Sequence, residues 1–403
     1  MPLRTISWSV LLLGLVISAA SAQPASEPAA DSRSGTIAAQ QQEKSTKLNP
    51  PQPDKVEKYI LRAEKLLLET PSGFYPAFSS VYHGGGLTLG AGYRRYYADD
   101  TSWNIMGLYS FKNYKLLEVG TESRGHLEKR LSFGGKFGWR DATQVGYFGT
   151  GMKTDVDNRA NFRFQETYAD GHAVLRPVRW FPIQGSVGVE RWETMQGQGS
   201  FPSIETKYTA QTAPGLGASP VFIHSQLSAG FDWRQSEGYT TGGGLYQATF
   251  HDYRSDSNGL YNFQRLDADV IQHVPLLRDT WVLAVRGRLV TTLNDNNLIP
   301  YFMLPALGDG SSLRAFTTDR FRDRHSMLMT AEFRWLPAKA VDMALFYDAG
   351  KVTPHRRDLD FTNLKSDVGI GIRFHGTVMT PLRIDLAYGN EGIKLVFSSS
   401  AVF

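Results

Sequence analysis

From residue 86 onward the chain alternates apolar and polar residues with a period of two. Near the C-terminus Val368, Ile370, Ile372 and Phe374 alternate with Asp367, Gly369, Gly371 and Arg373, and Leu382, Ile384, Leu386 and Tyr388 alternate with Arg383, Asp385 and Ala387. The same rhythm sets Leu131, Phe133, Phe137 and Trp139 against Ser132, Lys136 and Arg140, and Leu227, Ala229, Phe231 and Trp233 against Gln226, Asp232 and Arg234. Successive side chains of a strand point to opposite faces, so each segment has one apolar and one polar face. The pattern predicts strands over 86–97, 102–112, 114–123, 129–140, 144–153, 161–174, 179–193, 220–235, 240–254, 261–274, 279–294, 324–336, 341–349, 366–376, 381–388 and 392–403, sixteen in all.

A soluble sandwich alternates in the same way, but three features favour a membrane barrel. Apolar faces often end in Trp or Tyr (Trp139, Trp233, Trp335, Tyr388), as interfacial girdles do. The strand count is even, as bacterial barrels require. The longest gaps, 194–219, 295–323 and 350–365, all follow odd-numbered strands, which puts long loops on one rim and short turns on the other. The expected fold is all-β: a 16-stranded antiparallel transmembrane β-barrel over 86–403, with a short N-terminal linker and an amphipathic helix.

The N-terminal region is read in four pieces. Residues 1–22 have a basic start at Arg4, an apolar run from Val10 to Ile17 and the small residues Ala20-Ser21-Ala22, which is the pattern of an export signal. The run is too short for a spanning helix. Residues 23–53, rich in Pro, Ser, Ala and Gln, are expected to be a disordered linker. Over 54–70, Asp54 and Glu57 form a capping box ahead of Val56, Tyr59, Ile60, Ala63 and Leu67 at helical spacing, and 71–85 is left as a pre-barrel segment.

Composition narrows the chemistry. There is no cysteine, so disulfides and thiolate sites are excluded. A formal net charge of +4 over 403 residues gives no field of the kind that gathers nucleic acid. His83 to Gly86, "HGGG", has no G-x-S-x-G elbow to accompany it, and the nine histidines show no paired metal spacing. No catalytic residue, metal site or cofactor is expected, and the chain is not read as an enzyme.

Charge is concentrated in "GSSLRAFTTDRFRDR", residues 310–324, between two strand-like segments. Strand phase suggests why. Val341, Met343, Leu345, Tyr347 and Ala349 would face lipid, leaving Asp342, Phe346, Asp348 and Gly350 toward the lumen; in the preceding strand Glu332 and Arg334 point inward. An Arg-rich loop entering that lumen would meet Glu332 and Asp348, and a buried Arg–carboxylate pair is directional. The other reading is an exposed loop whose surface pairs contribute little.

"SSLRAF", "RFRDR", "AEFRW" and "LFYDAGKV", closed by "GIKLVFSSSAVF", resemble the C-terminal signature of the Omp85 superfamily, also called bacterial surface antigen D15. The resemblance implies that the sixth extracellular loop folds back into the barrel. Arg314 and Phe316 match the loop tip, and Phe346, Asp348 and Gly350 match the strand motif to which the tip's arginine pairs. Ala315 stands where the family has glycine, and a Cβ there would oppose a positive φ. Phe403 is similar to the terminal aromatic by which outer-membrane barrels are recognised for assembly. The segment 23–85 is too short for the periplasmic POTRA modules usual in the family, so a bare barrel is expected. The implied location is the outer membrane of a Gram-negative bacterium. Implied partners are outer-membrane lipid, the machinery that inserts the barrel itself and a polypeptide or lipid client. The implied function is translocation or membrane insertion of protein or lipid; the alternative is a passive pore or structural surface antigen.

Overall fold

The computed structural model describes residues 37, 39, 40, 58 and 72–403, apart from 78, 99, 278–279, 294–297, 339 and 377–378. The chain falls into two units, Met1–Pro53 and Asp54–Phe403. The export signal lies outside the described residues. So do the linker, except for the helical Ile37, Ala39 and Gln40, and the expected helix over 54–70, except for Lys58, which is helical.

The second unit is one antiparallel sheet of sixteen strands in sequence order. Its first half is β1 (Gly73–Ala77), β2 (Thr88–Ala98), β3 (Thr101–Ser110), β4 (Lys115–Gly125), β5 (Leu131–Tyr147), β6 (Ala160–Val178), β7 (Phe181–Gln196) and β8 (Val221–Asp232). Its second half is β9 (Gly243–Ser255), β10 (Phe263–Leu277), β11 (Trp281–Thr292), β14 (His325–Ala338), β15 (Val341–Thr353), β16 (Lys365–Phe374), β17 (Leu382–Gly389) and β18 (Gly392–Ser398). Between β11 and β14 a separate two-residue ladder joins β12 (Ala306–Leu307) to β13 (Phe321–Arg322). Among the described residues no ladder joins β1 to β18, which leaves a seam.

The number sixteen was expected, but two strand assignments change. β1 lies within the segment expected to precede the barrel. Five residues, "GFYPA", are too few to establish a period, and Gly73 and Pro76 carry turn character. The strands expected over 129–140 and 144–153 are replaced by the single β5, whose register shifts between Ala142 and Val145. A bulge inserts a residue and breaks the alternation, which reads in sequence as a turn. β5 runs on through it, and the Thr143 Oγ1 donates to the Lys112 carbonyl at 2.9 Å.

The long connections, 148–159, 197–220, 293–324 and 354–364, follow the fifth, seventh, eleventh and thirteenth strands of the sheet. The connection 233–242 is long for the short-turn rim, and it folds inward: Arg334 Nη2 donates to the Thr240 carbonyl at 2.6 Å, and the Tyr239 ring stacks on His375 at 3.7 Å. Exposure follows the dyad. In β15 Leu345 and Tyr347 are about half exposed, whereas Asp342, Phe346 and Asp348 are buried; β17 likewise exposes Leu386 and Tyr388 and buries Arg383 and Asp385. Among the described residues no helix is long and apolar enough to cross a membrane.

Candidate functional site

The loop between β11 and β14 enters the interior through an apolar anchor. Tyr301 lies edge-on to Phe162 of β6 with ring centroids 4.9 Å apart, and Phe302 stacks on Trp192 of β7 at 5.3 Å. The β12–β13 ladder then carries the tip, residues 308–320. Phe316 is buried in a cluster with Leu307, Leu313, Phe321, Leu328 and Val352. Gly350 of β15 lies beside this cluster, and a Cβ there would stand 3.1 Å from Leu307 Cδ1 and 2.7 Å from the Met327 carbonyl.

Arg314, at the tip, is fully buried. Its Nε donates to Asp348 Oδ2 at 2.7 Å and its Nη2 to Asp348 Oδ1 at 3.0 Å, the two-point fork that matches a guanidinium to a carboxylate. Nη1 donates to Glu332 Oε1 at 2.8 Å and to Asp385 Oδ2 at 3.1 Å. The guanidinium lies over Phe346, 3.3 Å from the ring centroid, as a cation–π contact. Gly369 on β16 leaves room for that ring, since a Cβ there would collide with Phe346 Cζ. Loop and wall thus meet at one residue with three acceptors and one aromatic face.

The structure brings together Arg314, Glu332, Phe346 and Asp348, with Phe316 and Gly350 adjacent. Sequence reasoning did not assign four further members. Asp385 accepts from Arg314, Arg373 Nη2 donates to Glu332 Oε1 at 2.7 Å, Arg383 Nη2 donates to the Gly310 carbonyl, and Asp367 Oδ2 accepts the Ala315 N–H at 3.1 Å. All four occupy polar positions of the β16 and β17 alternation, so the signal was present. Asp348 and Asp367 are direct cross-strand partners, an arrangement of like charges that destabilises a ladder unless donors intervene. The Arg314 fork and the Ala315 N–H supply those donors.

Ala315 has no positive φ, so glycine's freedom is not needed there. Its Cβ, wholly buried, faces Gly389 of β17, and the close approach is accommodated by the missing Cβ on that side.

Phe403 stands elsewhere. The strand expected over 392–403 ends at Ser398, and the Phe403 ring lies 5.8 Å from that of the buried His273 on β10. With Tyr239, Arg334, Asp342 and Thr380 it lines a void of about 10 Å³. A larger cavity, about 380 Å³, lies beside the loop; Arg140, Glu166, Arg265, Arg288 and Asp319 line it together with Phe302.

Nearer the long-loop rim, burial pushes the Asp319 carboxyl up, but Arg322 at 2.9 Å and His83 outweigh it and hold the group below the ordinary carboxylate range. The same carboxylate raises the His83 imidazole against the opposing effect of burial. Among the described residues no set of three His, Asp or Glu side chains is placed to hold a metal.

A family model, the Omp85 superfamily domain, matches residues 191–400, just over half of the chain and the part that contains the loop and its acceptors. The chain belongs to the Omp85 superfamily. Among solved structures it is similar to BamA from Haemophilus ducreyi lacking POTRA domains 1–3, at 13% identity and a TM-score of 0.61, over 81% of this chain and 69% of that one. It is also similar to CdiB from Escherichia coli, at 11% identity and a TM-score of 0.52, over 78% of this chain and 57% of that one. These likenesses show the fold, a 16-stranded Omp85-type β-barrel. Among curated protein sequences none matches.

Proposed function

We propose that this Omp85 barrel works in the outer membrane as an insertion or translocation factor for polypeptide or lipid, and that its in-folded loop is the element whose release admits a client. The observation that carries the reading is Arg314: a loop residue 34 positions from Asp348 in sequence forms a buried two-point pair with it. A passive pore has no need of such an investment inside its lumen. Removing one partner of a buried pair costs about 3–5 kcal/mol, because the remaining charge stays desolvated. The intact pair therefore fixes where the loop docks, and a client that makes compensating contacts can displace it. Family membership supports the class of function.

The test is reconstitution of the full chain in lipid vesicles. The barrel should migrate differently in gels before and after heating, and it should accelerate folding of an added unfolded outer-membrane barrel or uptake of a labelled polypeptide. Ion conductance with no acceleration of either process would favour the passive pore.

A further inference from the structure

Residues 317–320 of the loop touch both edges of the sheet. On the β18 side, Glu391 occupies the turn between β17 and β18. Its Oε2 accepts the Thr317 N–H at 2.9 Å and the Thr317 hydroxyl at 2.8 Å, and its Oε1 accepts Arg320 Nε at 2.6 Å. Lys394 of β18 donates to Thr317 Oγ1 at 2.8 Å. On the β1 side, the connection to β2 supplies His83, whose Nδ1 is 3.6 Å from Asp319 Oδ1, and Gly84, against which Thr318 packs so closely that a Cβ would lie 3.1 Å from Thr318 Cγ2. Between these two sets of contacts runs the seam.

We propose that the segment 317–320 is a clasp across the β1–β18 seam, with Glu391 and Asp319 as the positioning residues that join each edge to the loop. The edge strands are short, five and seven residues, so even a full ladder between them would hold few hydrogen bonds. Asp319 is shaped for the task. Its φ of 58° is left-handed, a conformation in which Asp is enriched, and its N–H donates to the Gly308 carbonyl at 2.6 Å. That geometry turns the nearly buried carboxylate back toward His83 and Arg322. Arg320 extends the clasp by donating to Thr154 Oγ1 and its carbonyl, at 2.6 and 2.5 Å, in the β5–β6 connection.

This contact set is distinct from the Arg314 cluster, which holds the loop against β14, β15 and β17. Its consequence for clients rests on the insertion reading: if the loop closes the seam, loop release and seam opening are one equilibrium, and by linkage a ligand that prises the edges apart loosens the loop to the same degree.

The chain's lack of cysteine allows a clean distance measurement. Spin labels on Leu89→Cys in β2 and Ile393→Cys in β18, both on the lipid face near the long-loop rim, report the seam width in the full chain by pulsed electron resonance. The parent should give one narrow distribution, and Glu391→Gln or Asp319→Asn should add a longer component. The milder His83→Gln should add a smaller one, and it serves where the acidic variants assemble poorly. Trp281→Ala, on the lipid face away from the seam, controls for general destabilisation and should leave the distance unchanged. An unaltered distribution in all three clasp variants overturns the proposal. A widened seam with an unchanged rate of client insertion keeps the clasp and rejects the insertion reading.

Discussion

Ala315 in the loop and Gly389 in β17 pack so closely that a Cβ on Gly389 would lie 2.9 Å from the Ala315 Cβ and 3.2 Å from that of Asp367. The small residue needed for docking is on the strand, and the loop can carry a methyl group. Gly389→Ala should overpack the contact, at roughly 1–3 kcal/mol, and shift the loop outward. Ala315→Gly should dock normally. Trypsin cleavage at the arginines of 310–324 in reconstituted protein reads both; equal cleavage in Gly389→Ala and parent would mean that the two residues are not in contact.

The seam contacts should respond to pH. His83 titrates above its ordinary value of about 6.5, so its pairing with Asp319 is fully present below that pH and fades as pH rises through the raised value. Asp319 titrates below its ordinary value of about 4, so its contribution is present above that pH and is lost as pH falls through the depressed value. The His83–Asp319 contact is therefore strongest between about pH 4 and 6.5. Tyr82, Asp309 and Arg322 also face this pair. His83 is 59% exposed, which makes the effect modest and salt-sensitive. Seam width, read by the same spin-label pair and free of the protease's own pH dependence, should gain a longer component between pH 5.5 and 8.5 in the parent and stay unchanged over that range in His83→Gln; a parent distribution that does not change with pH would remove His83 from the clasp.

For Phe403 we expect a role in assembly that does not depend on its contact with His273. Deleting Phe403 should lower the amount of heat-modifiable barrel in the outer membrane without altering synthesis, and His273→Ala should assemble as the parent does. If both variants assemble equally poorly, packing in the short-turn mouth explains the effect, and the recognition role fails.

The inward direction of Glu332, Phe346 and Asp348 was legible because residues 326–335 of β14 and 341–348 of β15 alternate, so phase alone fixed their face. Asp385 and Arg373 lay in equally regular strands, but their convergence on Arg314 and Glu332 depends on register: Asp385 pairs across β16–β17 with Gly371, where the lack of a side chain opens space. A single strand does not encode that register. The bulge in β5 imitated a turn, and β1 was too short to show a period. Tyr301 and Phe302 were hidden for another reason. Their burial depends on inward aromatic residues of β6 and β7, which makes part of the interior apolar where dyad reasoning anticipates a polar lumen.

The charge network changes what pairwise reasoning expects of the lock. Arg314 serves three carboxylates, whereas Asp348 is one acceptor among them. Arg314→Ala should therefore be more damaging than Asp348→Asn, which leaves Glu332 and Asp385 available. Arg314→Lys should resemble the alanine variant, because an ammonium offers neither the two-point fork nor a planar face for Phe346.

The measurement that bears most directly on the in-folded loop is the trypsin cleavage rate within 310–324 for the parent, Arg314→Ala, Asp348→Asn and the double variant in vesicles. Arg320, Arg322 and Arg324 remain as cleavage sites in every variant. The parent should resist, and Arg314→Ala should be cleaved on the order of a hundredfold faster, in line with the loss of a buried charge pair. Asp348→Asn should fall between them, and the double variant should be no faster than Arg314→Ala alone. Rapid cleavage of the parent, or strictly additive effects of the two substitutions, would contradict a loop held inside the barrel by Arg314.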